Sequence, residues 1–144
     1  MNPDGFGQAR LTNNAATDHG PSWSREGTKI ASQSDRDGNS EIYVMNTDGS
    51  GQTRIKNKSS DEFWPLWLLD STKITFETTR YGLEEIYATN ADESLPTNLI
   101  TNSVSDNWPV WRQEPALALA ATPVLVYLHF NPRFHSESQI LDYG

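Results

Sequence analysis

Apolar and polar side chains alternate along this chain in short runs, separated by clusters of Gly, Asp, Asn and Ser. In Glu41-Ile42-Tyr43-Val44-Met45 the β-branched and aromatic residues take the alternating places of a strand. Read this way, a first complete unit holds strands at Pro21–Ser24, Thr28–Ser34, Ser40–Asn46 and Gln52–Lys56. A second holds Pro65–Leu68, Thr72–Thr78, Glu84–Asn90 and Pro96–Thr101. Between them stand turn signals such as Arg25-Glu26-Gly27, Asp35-Arg36-Asp37-Gly38 and Thr47-Asp48-Gly49. Asp-Gly pairs suit tight hairpins, because glycine takes positive φ without steric penalty. Each unit therefore predicts a four-stranded antiparallel meander. A lone strand is expected at Gln8–Thr12, and residues 109–112 begin a third unit.

The units are copies of one another. Laid over each other without a gap, residues 1–44 and 45–88 agree at 18 of 44 positions. Pro21-x-Trp23 returns as Pro65-x-Trp67 and Pro109-x-Trp111, and Arg36-x-Gly38-x-x-Glu41-Ile42-Tyr43 returns as Arg80-x-Gly82-x-x-Glu85-Ile86-Tyr87. A period in the low forties made of short strands and Gly-rich turns predicts propeller blades. The expected fold is all-β: a partial β-propeller of about three four-stranded antiparallel blades. Blades fill residues 1–112, with complete ones at 21–56 and 65–101, and residues 113–144 read as a degenerate third blade or an irregular tail. In that tail Leu125–Leu128 is like the Glu-Ile-Tyr-Val strand. A propeller ring closes with about four to eight blades, so three leave open edges. Either the chain is cut from a longer propeller or copies assemble into a homo-oligomeric ring, with Gln8–Thr12 supplying a neighbour's fourth strand. Met1 stands where Met45 does, in mid-repeat, which favours a natural start further upstream.

Two sets of recurring residues are expected to serve the fold. Trp23, Trp67 and Trp111 recur in the innermost strand and are expected to fill the space between blades. Arg36 and Glu62 are 26 residues apart, as are Arg80 and Asp106, and are expected to pair across blade interfaces.

Composition narrows the chemistry. Only 35% of residues are hydrophobic, yet five Trp, five Tyr and five Phe supply enough bulk for a core. A net charge of −8 argues against a nucleic-acid binder, which needs a basic face. Absence of cysteine removes disulfides, thiol nucleophiles and thiolate metal sites. The most apolar stretch, Ala116–Phe130, is interrupted by Pro123 and too short to insert in a membrane, which takes roughly 20 residues. There is no G-x-S-x-G nucleophile elbow. His129 and His135 lie close only in the irregular tail, and Asp35–Glu41 reads better as a turn than as a calcium loop, since the second copy drops most of its oxygen donors. No catalytic residue, metal or cofactor is expected.

The pattern Asp-x-x-Pro-x-Trp-Ser-x-x-Gly-x-Lys-Ile-Ala, followed by Ser-Asp-Arg-Asp-Gly-x-x-Glu-Ile-Tyr-Val-Met-Asn-x-Asp-Gly, resembles the WD40-like blade of TolB-type β-propellers. It runs from Asp18 to Gly49 and, more weakly, from Glu62 to Asp92. The second copy departs at Leu68-Leu69-Asp70-Ser71, where Ser-Pro-Asp-Gly is expected, and at Thr79. The resemblance implies a non-catalytic scaffold that binds a protein or peptide partner in the periplasm or outside the cell. Rival implications are the propeller of a prolyl-oligopeptidase-like peptidase and a carbohydrate binder using Trp64 and Trp108. The candidate partner-binding rim is where the repeats differ at one end: His19, Phe63, Trp64, Asn107 and Trp108, alongside Asp37 and Tyr81. These aromatics are not required by the repeat, so they either form a binding surface or cap the inter-blade core.

Overall fold

Lys29–Ser34 and Glu41–Asn46, rich in β-branched and aromatic side chains, form the paired centre of the first sheet. A computed structural model describes residues 4–55, 59–91 and 97–99 with their side chains, and three further strands at 109–112, 124–128 and 140–143 as backbone. Blade 1 is a meander of β1 (Asp18–Trp23), β2 (Lys29–Ser34), β3 (Glu41–Asn46) and β4 (Thr53–Arg54), each antiparallel to the next. Blade 2 repeats it as β5 (Glu62–Trp67), β6 (Lys73–Thr78), β7 (Glu85–Asn90) and β8 (Thr97–Asn98). A third sheet, in the order β11-β10-β9, contains β9 (Pro109–Arg112), β10 (Val124–Leu128) and β11 (Ile140–Tyr143). Among the described residues there is no helix. The chain is an all-β, partial propeller.

The innermost strands begin three residues earlier than their prolines suggested. In β1, His19 pairs with Gln33 and Ser22 with Ala31, so two residues of β1 oppose one of β2. In β5, Phe63 pairs with Glu77 and Leu66 with Thr75, which is the same β-bulge. The bulge absorbs Pro21 and Pro65, whose missing N–H would otherwise end the ladder. Residues 18–20 and 62–64 are thereby strand, not loop.

The blades meet along one apolar seam. Trp67, Ile74, Phe76 and Tyr87 of blade 2 cluster with Ala31, Ile42, Val44 and Ile55 of blade 1. The Trp67 N–H donates to Ser22 Oγ across the seam at 3.0 Å. Trp67 is 5% exposed, as a seam-filling residue must be, but its repeat counterpart Trp23 is 56% exposed. The expected filling role therefore fails at Trp23. It stands on the face of blade 1 turned away from Trp67, where no described blade covers it. Of Trp111 only the backbone, in β9, is described.

Two further expectations change. Gln8–Thr12 is not a strand; the Leu11 carbonyl instead accepts from Gln52 Nε2 of blade 1 at 3.1 Å. The segment that resembles a third strand, β10, pairs directly with β9, Val126 opposite Trp111, and so takes the second strand's place.

A candidate interaction rim

The β-bulge shapes the end of the blades where the repeats differ. Its first residue lies in the left-handed region in both blades: Gly20 at φ 59° and Trp64 at φ 51°. Glycine does this freely, but for a bulky side chain the conformation costs about 1–2 kcal/mol. Burial does not offset that strain in full, because Trp64 remains 48% exposed. Its indole lies against the exposed His19 ring, with centroids 6.2 Å apart and planes tilted by 39°. A Cβ on Gly20 would come within 3.3 Å of indole Cε3, so glycine at 20 also makes room for Trp64. The Trp64 N–H donates across the seam to Gln33 Oε1 at 3.4 Å. Phe63, beside it in β5, is partly buried.

Asp37 and Tyr81 occupy equivalent turns, β2–β3 and β6–β7, at the same end. Asp37 accepts from the Tyr43 hydroxyl and pairs with Arg54 at 2.8 Å. Burial first, then the Asp37 carboxylate, push the Tyr43 hydroxyl up to about 12. Tyr81 replaces this carboxylate in blade 2 and is 72% exposed. Burial raises the Tyr87 hydroxyl as well, helped by Tyr81 and Glu85. Structure thus brings His19 together with Trp64, and Asp37 together with Tyr43 and Arg54. Asn107 and Trp108 lie outside the described residues, as does Asp106.

The recurring arginines do not pair as their 26-residue spacing suggested. Arg36 pairs with Asp18 at 2.9 Å and Arg80 with Glu62 at 3.0 Å, each within its own blade. The register explains it: Asp18 opposes Ser34 and Glu62 opposes Thr78, two residues before each arginine. Each guanidinium also lies over a tyrosine of the third strand, Arg36 4.1 Å from the Tyr43 ring centre and Arg80 4.3 Å from that of Tyr87. This lock ties the first three strands of each blade together. Asp18 had been overlooked as a partner, although it holds the position of Glu62 one repeat earlier. Burial pushes the Asp18 carboxyl up, but hydrogen bonds from Ser34, Arg36, Thr12 and Asn14 outweigh it and hold the group at about 2.

A family model described as the TolB beta propeller domain matches residues 5–121. The chain belongs to the TolB β-propeller domain family. Solved TolB structures bear out the fold. One described as a TolB from Agrobacterium tumefaciens is 20% identical, with a TM-score of 0.64 over 92% of this chain and 51% of its own. TolB from Acinetobacter baumannii is 17% identical, with a TM-score of 0.65 over 92% of this chain and 34% of its own. A puromycin hydrolase is 14% identical, with a TM-score of 0.61 over 83% of this chain and 20% of its own. The chain thus spans about half of one TolB protein and a third of the other. No curated protein matches it. Within this TolB-type blade pair, the seam and the Arg–Tyr lock recur in both copies, whereas Trp64 differs from its counterpart.

Proposed function

We propose that this chain is a non-catalytic propeller module that holds a protein or peptide partner at the end carrying His19, Trp64 and Tyr81. One observation carries the reading. Trp64 keeps a left-handed backbone that its counterpart meets with glycine, and still leaves nearly half its surface in solvent. Strain retained at an exposed aromatic is a reason to look for function, since packing alone does not require it. The family supports a scaffold role and a periplasmic or extracellular setting. A non-catalytic role is further supported by a sequence with neither a nucleophile elbow nor a cysteine.

A displayed random-peptide library panned on the chain tests this. Enriched peptides should lose binding to a protein carrying Trp64→Ala and Tyr81→Ala together, and keep binding to Trp23→Ala. Enriched peptides that bind the double variant as well as the native chain, or no enrichment at all, would contradict it.

A further inference from the structure

Charge is distributed unequally between the two ends of the blades. At the end away from Trp64, Arg25, Lys29 and Lys73 balance Glu26, Asp48 and Asp70. At the Trp64 end every arginine is already matched: Arg36 by Asp18, Arg54 by Asp37 and Arg80 by Glu62. Asp35 and Asp61 remain there. Each is held by a backbone amide instead of a cation, Asp35 by the Thr17 N–H at 2.8 Å and Asp61 by the Ser40 N–H at 2.9 Å. Among the described residues this end therefore carries surplus negative charge. Asp61 lies three residues before Trp64, and Asp35 two residues after Gln33, which accepts the Trp64 N–H.

An exposed indole attracts a cation to its electron-rich face, and Trp is the strongest of the aromatic side chains in this respect. Surplus carboxylates around it raise the local concentration of cationic groups and speed their encounter. We infer that the partner seated at this end is an extended peptide segment rich in Lys and Arg, with one cationic side chain against the exposed part of Trp64. This rests on the interaction-module reading and names the chemistry of its partner.

Three labelled peptides of equal length test it, one alternating Lys and Arg with Ser and Gly, one neutral and one Glu-rich, titrated against the whole chain and followed by fluorescence anisotropy. The basic peptide should bind best, and more weakly as salt rises and screens the carboxylates. Trp64→Gly should weaken it about tenfold without lowering the melting temperature, because Gly20 shows that the bulge needs no side chain. Trp64→Phe should retain most of the affinity, and Asp61→Asn should lose part of it. Equal binding of basic and neutral peptides would overturn the inference. So would undiminished binding by Trp64→Gly, or a melting temperature several degrees lower in that variant, which would mark Trp64 as packing. If library peptides depend on Trp64 but are neutral or acidic, the cationic partner fails and the docking surface stands. If none depends on Trp64, both fail.

Discussion

Asp18 carries a measurable share of the stability of blade 1. Its burial opposes ionisation, yet four hydrogen bonds hold the carboxyl at about 2, below its ordinary 3.8. A carboxyl depressed in the folded state stabilises the protein above its unfolded pKa, and that contribution disappears as pH falls toward the folded value. The difference corresponds to on the order of 2 kcal/mol, at about 1.4 kcal/mol per pKa unit. Urea unfolding of the native chain should therefore show falling stability between about pH 4 and pH 2. Asp18→Asn should be less stable near neutral pH and flatter across that window; an unchanged slope would show that Asp18 is not responsible. The partner of Arg36 was not legible in the sequence. Acids lie 18 residues before and 26 residues after it, and both spacings recur. Only the strand register, with Asp18 opposite Ser34, separates the two.

Strand positions were largely legible because β2, β3, β6 and β7 alternate clearly and end in Gly-rich turns. The bulged starts of β1 and β5 were not. Pro21 and Pro65 look like strand beginnings, and nothing local marks Trp64 as a left-handed residue, whereas Gly20 admits it. The β5–β6 turn shows the same substitution in reverse use. Ser71, at φ 57°, stands where blade 1 has Gly27 at φ 66°. Its hydroxyl accepts the Arg25 N–H of blade 1 at 2.8 Å, joining the blades at the end away from Trp64. Ser71→Ala keeps the strained backbone and loses the acceptor, so it should destabilise by about 1 kcal/mol. Ser71→Gly also loses the acceptor but relieves the strain, and should lie closer to the native chain in a denaturant titration. If the two variants melt alike, strain at this turn is negligible.

The molecule is organised by one seam, and the period of the sequence was enough to foresee it. Trp67 fills it, while Trp23, the same residue one repeat earlier, is left more than half exposed. Repeats explain this difference, since a seam residue is buried only where a neighbouring unit is present. The rim was legible only as a position, because the geometry that distinguishes Trp64 lies in its backbone and not in the residue type. Trp64 and Trp67 stand three residues apart on β5, one at the rim and one in the seam. Melting temperatures of Trp64→Gly and Trp67→Ala, taken side by side, separate these roles. Trp67→Ala should lose about 3–5 kcal/mol, as removal of a buried Trp does, with a clearly lower melting temperature, while Trp64→Gly melts at or above the native value. A large drop for Trp64→Gly, or none for Trp67→Ala, would contradict the division of the strand into one tryptophan that holds the blades and one that meets the partner.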